Sequence, residues 1–397
     1  MTTRGALQAM VALVLLGVAA ATAVVAQSAD PYRVDVILPL TGGGSFLGKA
    51  EQQALQLLEK SINQEGGIQG RPLQLDFQDD QTSPQVAVQL ASQVVAKHPA
   101  ALLGSSLVAM CNAMAPLMQS GPVMYCMSPG IHPPKDSYVF TSSVSTHDLA
   151  IALIRYFRLR GWTRLGVMTS SDATGQDAEK GILEAVALPE NKGVQIVART
   201  HFATTDVSVA AQIETVKAAQ PQAFIAWSTG TPIATIFKGV VQAGLDVPVA
   251  TTDGNMTRAQ MTQYAAFLPA QLYFPAGQWV AHGSAAHLDP AVTRAQDAFY
   301  ETYKAAGMLP DAAATHGWGP GNVVLGALRK LGPGVTAPQL REYLAHLKGE
   351  PGINGIYDFE AVPQRGLSVN NAVVARWNPG KNDWETVSEP AGTPLAR

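Results

Sequence analysis

The chain has 397 residues, of which 47% are hydrophobic and 14% are charged, and its formal net charge is −3. Such a length is typical of about two domains, and this composition is that of a folded protein rather than a disordered one. The charge is close to neutral and no lysine- or arginine-rich run occurs, so we expect no nucleic-acid partner.

The N-terminal segment has the pattern of a secretory signal peptide. Arg4 is the only charged residue before Asp30, and residues 6–26 form an apolar run that ends in a small residue. This pattern predicts that residues 1–26 are removed and that the mature protein lies outside the cytoplasm. An uncleaved membrane anchor is the alternative, because the run approaches the roughly 20 residues that span a bilayer. No cysteine lies near the predicted cleavage site, so we expect no lipoprotein.

The remaining chain alternates between short apolar strands and helices. Strands are predicted at 34–40, 73–77, 100–103, 123–127, 165–169, 194–198, 223–227 and 247–250. Helices are predicted at 48–62, 84–95, 110–118, 146–159, 176–187, 207–219, 233–242, 291–306 and 322–331, and a strand-rich tail at 355–387. This alternation predicts an α/β fold whose parallel sheets are covered by helices on both faces. Two similar halves follow one another, joined by a short crossing at 140–145.

The two cysteines, Cys111 and Cys126, fall at the start of a predicted helix and at the end of the following strand. In a parallel strand–helix–strand unit both positions lie at the same edge of the sheet. A disulfide is therefore possible in an oxidising compartment. Two buried free thiols are the alternative.

The common signatures of enzymes are missing. The glycine-rich turn at 42–48 follows a strand, but Leu47 stands where a dinucleotide-binding loop needs its third glycine. No GxSxG sequence occurs, and the spacing of His282 and His287 fits neither a zincin helix nor a zinc finger. We therefore expect no enzyme, no cofactor and no metal site.

Polar residues instead follow strand after strand in both halves. They are Ser105 and Ser106, residues 128–132, residues 170–174, residues 227–229 and residues 252–255. In open α/β sheets, ligands bind at the carboxyl ends of the strands. These loops are therefore predicted to face each other across a cleft, although any one of these residues taken alone fits a solvated loop equally well.

Several segments resemble the type I periplasmic binding proteins of branched-chain amino acid ABC transporters, the Leu/Ile/Val-binding family. They are VILPLTGGGSFLG (36–48), INQEGGIQGRPLQLDFQDDQTSPQVAV (62–88), LLGSS (102–106), VMYCMSPG (123–130), GWTRLGVMTSSDATGQDAEKG (161–181), GLDVPVATTDG (244–254) and GINGIYDF (352–359). The EGGIQGRPL…DDQTSP stretch is the most distinctive of these. The resemblance spans essentially the whole chain after the predicted signal peptide.

The resemblance implies two Rossmann-like lobes with parallel-rich sheets, joined by a three-strand hinge. The first lobe would comprise residues 30–144 and 280–355, and the second residues 145–279 and 356–397. It also implies a monomeric periplasmic protein that delivers a small molecule to an inner-membrane ABC permease and its ATPases. An extracytoplasmic sensor that reports ligand to a signalling partner is the alternative.

The family's ligand-binding positions map onto this sequence one by one. For the carboxylate of the ligand, the resemblance implies Ser105 or Ser106, Gly130 and His132 in the first lobe. Phe46 matches the aromatic residue that covers the ligand. In the second lobe, Thr174, Trp227 and Asp253 match, and Thr229 lies beside them after the same strand as Trp227.

Departures from the family pattern affect the predicted ligand. His132 replaces a threonine, Thr174 replaces a tyrosine, and Trp318-Gly319 replaces a Tyr-Asp pair. Asp253 keeps the acid that pairs with an α-ammonium group, which supports an amino acid, but a solvated loop carboxylate is the alternative. The missing tyrosine leaves room for an aromatic carboxylate, so the ligand is predicted to be an amino acid or an organic acid of similar size.

Overall fold

The computed structural model describes residues 30–141 and 143–396, so the predicted signal peptide at 1–26 lies outside the described residues. Its first sheet is fully parallel, with strand order β2-β1-β3-β4-β5. The strands are β1 (Tyr32–Leu38), β2 (Leu73–Asp79), β3 (Ala101–Gly104), β4 (Val123–Cys126) and β5 (Val139–Thr141). The helices between them are α1 (Ser45–Gln64), α2 (Pro84–Val95) and α3 (Val108–Met114).

The chain then enters a second set of alternating elements. The helices are α4 (Thr146–Leu159), α5 (Ala173–Ala187), α6 (Ala210–Ala218), α7 (Ile233–Ala243) and α8 (Arg258–Gln263). The strands are β6 (Arg164–Ser170), β7 (Gln195–Phe202), β8 (Ala223–Trp227), β9 (Val249–Ala250) and β10 (Leu272–Gly277). These five strands are parallel to one another, and β8 is buried along its whole length, as a strand covered on both faces should be.

The C-terminal part adds helices that pack on the first half and strands that extend the second sheet. It contains α9 (Pro290–Ala305), α10 (Ala312–Leu331), α11 (Ala337–Ala345), β11 (Lys348–Gly352), β12 (Gly355–Asp358), β13 (Ala372–Asn378) and β14 (Asp383–Thr386). Helix α10 packs against α1, while β13 and β14 add antiparallel strands to the second sheet, whose order is β14-β13-β10-β9-β8-β6-β7. The result is the predicted α/β fold with parallel-rich sheets in two lobes.

Helix α10 begins ten residues before the predicted start, at Ala312 rather than at residue 322. Three glycines and Pro320 lie in the missed part and lower its apparent helix propensity. Gly317 has a packing reason to be there, because a Cβ atom at this position would lie 2.8 Å from the carbonyl oxygen of Glu51 in α1. Close contact between α1 and α10 therefore overrides local propensity.

Cys111 and Cys126 form a disulfide that joins α3 to the end of β4, with a Cα–Cα distance of 6.1 Å. Of the two alternatives left open by the sequence, the structure contains the disulfide. Both cysteines are fully buried, so the crosslink lies within the packed layer between helix and sheet.

A buried arginine ties together segments that run between the two sheets. Arg365, in the segment between β12 and β13, donates hydrogen bonds to the carbonyl oxygens of Pro129, Ile131 and Ser143. Burial lowers the pKa of Arg365 to about 10, so its guanidinium stays charged at neutral pH. One side chain thus fixes the loop after β4 and the crossing before α4.

Across the described ranges, no helix is both long enough and apolar enough to span a membrane.

Candidate functional site

An enclosed cavity of about 20 Å³ lies where the carboxyl ends of the two sheets face each other. Its walls come from the loops after β3, β4, β8 and β9, from the end of β8, and from helices α1, α3, α4, α5 and α10. They are formed by Leu47, Ser106, Leu107, Val108, Ser128, Pro129, Gly130, Thr146, Thr174, Trp227, Thr229, Thr252, Asp253, Gly254 and His316. The strand ends of both lobes therefore meet at one place.

Most of the residues predicted to bind ligand lie around this cavity. Those that line it are Ser106, Gly130, Thr174, Trp227, Thr229 and Asp253. The remaining three, Phe46, Ser105 and His132, lie elsewhere, and each has a different environment.

Ser105 faces away from the cavity and has a structural contact. Its fully buried hydroxyl donates a hydrogen bond to Asp80, in the loop after β2. Ser106 lines the cavity instead, so the structure separates the two serines between which the sequence could not choose.

Phe46 lies at a point where the two lobes touch. Its ring meets that of Tyr264 edge to face, with the ring centroids 6.2 Å apart. Nearby, the amide of Thr231 donates to the carbonyl oxygen of Gly43 over 3.2 Å. Gly230 allows this approach, because its φ is +86° and a Cβ atom would lie 2.4 Å from the same oxygen. The glycine turn after β1 is therefore in direct contact with the second lobe.

His132 lies in an outer groove rather than at the cavity. Its Nε2 atom is 2.7 Å from Oδ1 of Asp177, in α5. The position next to the cavity belongs to Gly130, where a Cβ atom would lie 3.0 Å from Oδ2 of Asp177. The histidine that replaces the family threonine thus points to a carboxylate of the second lobe.

A buried ion pair borders the cavity, and one half of it was not predicted. His316, in α10, places Nε2 3.2 Å from Oδ2 of Asp253, while the Thr252 hydroxyl donates to Oδ1 over 3.0 Å. Burial alone would lower the pKa of His316, but the hydrogen bond that its ring donates to Asp253 and the charges of the surrounding carboxylates raise the pKa above its usual value. The wall of the cavity therefore carries a paired imidazole and carboxylate.

Glu51 is a second charged group that sequence reasoning missed. It is fully buried in α1, and it accepts a hydrogen bond from the Ser106 hydroxyl that lines the cavity. Burial raises the pKa of Glu51 to about 7, against the opposing effect of that hydrogen bond. The sequence does contain a signal, since Glu51 falls on the same face of the helix as Leu47, Ala54 and Leu58.

A larger space lies just outside the enclosed cavity. It measures about 280 Å³ and shares Leu107, Thr174 and Thr229 with the inner cavity. Gly43 and Thr231, which form the contact between the lobes, also line it. The cleft therefore continues outward past the narrow inner end.

Comparison with known families agrees with this architecture. The sequence profile of the periplasmic binding proteins matches residues 31–382, so the chain belongs to the periplasmic binding protein family. No curated protein matches the chain.

Solved structures show the same type I fold. A type 1 periplasmic binding protein from Bordetella pertussis has a TM-score of 0.77 at 18% identity, covering 92% of this chain and 100% of that one. The substrate-binding protein LivJ from Streptococcus pneumoniae, solved with isoleucine, has a TM-score of 0.73 at 18% identity; the match covers 90% of this chain and 99% of LivJ. A solute-binding protein from Rhodopseudomonas palustris, solved with benzoate, has a TM-score of 0.72 at 18% identity; the match covers 92% of this chain and 98% of that protein.

Proposed function

We propose that this protein is the periplasmic substrate-binding component of an ABC importer and that it binds an amino acid or a small carboxylate between its lobes. In this proposal residues 1–26 are a cleaved signal peptide, and the mature monomer delivers its ligand unchanged to a membrane permease. The first lobe comprises residues 30–144 and 280–355, and the second residues 145–279 and 356–397. Membership of the periplasmic binding protein family supports this function.

The observation that carries the proposal is the meeting of hydrogen-bonding groups from both lobes at one cavity. Removing a carboxylate from water is costly unless several donors replace its hydration. On one side, the Ser106 hydroxyl now donates to Glu51 and the Gly130 amide to the Ser128 hydroxyl, and a ligand carboxylate would take the place of these acceptors. On the other side, the hydroxyls of Thr174 and Thr229 line the cavity. Trp227 adds an apolar wall that contributes burial.

Ligand entry requires the lobes to separate. A cavity of about 20 Å³ has room for about one water molecule and not for an amino acid. The extra room predicted from the replacement of a tyrosine by Thr174 is therefore not present when the lobes are in contact. We infer that ligand binds an open form, and that contacts with both lobes then shift the population toward a closed form that the permease recognises.

The pair formed by Asp253 and His316 bears on the class of ligand. An α-ammonium group would interact with Asp253, and the His316 imidazolium would then lie close to the carboxylate of the same ligand. A simple organic acid has no ammonium group and would need His316 alone. The two solved relatives with isoleucine and with benzoate represent these two chemistries in other proteins.

The test begins with a thermal-shift screen of the twenty amino acids and a set of aliphatic and aromatic acids, because a ligand that binds only the native state raises Tm. Calorimetry on Asp253→Asn then separates the classes. An amino acid should lose about 100-fold in affinity, since a buried charge pair is broken, whereas a simple acid should change less than about threefold.

Asp297→Asn is the matched control, because Asp297 is exposed, pairs with a half-buried histidine, His282, and does not line the cavity. Its affinity should equal that of the wild type. If no member of either class raises Tm, or if the ligand is converted rather than returned, the proposed function is wrong.

A further inference from the structure

Two imidazoles and one carboxylate converge where the outer groove that contains His132 meets helices α4 and α5. His132 Nε2 lies 2.7 Å from Asp177 Oδ1, and His147 Nε2 lies 3.2 Å from the same oxygen. One ligand atom from each of the three side chains lies within 4.8 Å of the other two. Two histidines and one carboxylate form a donor set that binds zinc and other late first-row divalent ions.

The surroundings of this cluster resemble the outer shell of a metal site. His147 Nδ1 lies 2.8 Å from Glu184 Oε2, so a carboxylate holds the ring with Nε2 directed toward Asp177. Carboxylates hold metal-ligating histidines in this way, fixing both the tautomer and the ring orientation. Asp177 Oδ2 is buried and has no hydrogen-bond partner among the described residues, which leaves a second oxygen of the same carboxylate available.

The local charge is compatible with a divalent cation. With both histidines neutral, the carboxylates of Asp177 and Glu184 give the cluster a formal charge of −2, while Arg365 and Lys180 are the cations that act on it. His132 is exposed, so an ion can reach the cluster from solvent.

We propose that His132, His147 and Asp177 form a binding site for one Zn²⁺ ion that bridges the two lobes. His132 belongs to the loop after β4 of the first sheet, whereas His147 and Asp177 lie on α4 and α5, which pack on the second sheet. A bound ion therefore links the lobes at the rim of the cleft and favours their contact. The sequence predicted no metal site because these residues are 15, 30 and 45 positions apart, spacings that form no motif.

The test is a Zn²⁺ titration of the purified protein, prepared without a histidine tag and stripped of metal with a chelator. Calorimetry should show one ion per chain, and Zn²⁺ should raise Tm. His132→Ala, His147→Ala and Asp177→Asn should each weaken Zn²⁺ binding at least tenfold, and Glu184→Gln should weaken it about tenfold through the orientation of His147.

His201→Ala is the matched control. His201, in β7, pairs with Glu179 of α5 over 2.8 Å, but it belongs to no metal-binding cluster among the described residues, so its loss should leave Zn²⁺ affinity unchanged. The proposal is overturned if the wild type shows no saturable binding up to 1 mM Zn²⁺, or if His147→Ala binds as tightly as the wild type. Retention of full affinity in His132→Ala would overturn the bridge between lobes. Each result is independent of whether an organic ligand is found.

Discussion

Among the histidine–carboxylate pairs that connect the lobes of this protein, two differ in depth rather than in chemistry. The inner pair, His316 and Asp253, is 3.2 Å apart, with side-chain exposures of 4% and 2%. The rim pair, His132 and Asp177, is closer, at 2.7 Å, but its exposures are 45% and 12%. Because water screens the outer pair, the longer contact is the one expected to matter more for stability. The burial of each pair, rather than the distance between its atoms, therefore decides which pair should contribute more to stability.

The largest effect should come from breaking the inner pair. His316→Ala leaves the Asp253 carboxylate buried with the Thr252 hydroxyl as its remaining side-chain partner. Removing one member of a buried pair costs about 3–5 kcal/mol, so the free energy of unfolding should fall by that amount in urea denaturation at pH 6. His282→Ala, which breaks an exposed pair with Asp297, is the control. Equal stability of the two variants would contradict the ranking.

The next effect is a pH dependence that arises beside the inner pair. The pKa of Glu51 is about 7 in the folded protein, against 4.5 for a glutamate in water, which is the value expected in the unfolded chain. The folded state therefore holds this proton more tightly, and its stabilisation is lost as pH rises from about 4.5 to 7. The full change is about 3 kcal/mol. The raised pKa of His316 acts in the same direction, since its contribution is present below 6.5 and is lost above the folded value.

Glu51→Gln separates these two contributions. Between pH 4.5 and 8, the wild type should lose about 3 kcal/mol more stability than this variant, measured by urea denaturation across that range. The pH dependence of the free energy of unfolding that remains in Glu51→Gln is caused by His316 and the other titrating groups. Parallel pH profiles for the two proteins would show that Glu51 titrates normally.

The smallest effect belongs to the rim pair in the absence of metal. His132→Ala, measured in a chelator, should change the free energy of unfolding by less than about 1 kcal/mol, because the pair is partly exposed. A loss as large as that of His316→Ala would show that the rim pair is as strongly coupled as the inner one.

The fold could be predicted because its strands carry continuous apolar runs and its helices carry an apolar face. Two of the elements that prediction missed, β10 and the first half of α10, have weak local patterns, whereas α11 (Ala337–Ala345) was missed although a capping box precedes it. Strand β10 (Leu272–Gly277) contains a proline, and the first half of α10 contains three glycines. Both are held by tertiary contacts that no local rule contains.

The site was predictable to the extent that it lies on loops after strands. Ser106, Gly130, Trp227 and Asp253 follow from that rule and from the family resemblance. Glu51 and His316 did not, since each comes from a helix: His316 lines the cavity, and Glu51 bonds to the Ser106 hydroxyl that lines it. The choice between Ser105 and Ser106 depends on the direction of each side chain, which the sequence does not contain.

The guanidinium of Arg365 has a consequence for how the protein moves. It holds three carbonyl oxygens from two separate stretches of backbone, at Pro129, Ile131 and Ser143. Rotation of one lobe against the other must leave these bonds intact or take hydrogen-bond partners away from a buried cation, which is costly. We therefore expect any rotation between the lobes to leave the loop that carries Gly130 and His132 close to Arg365.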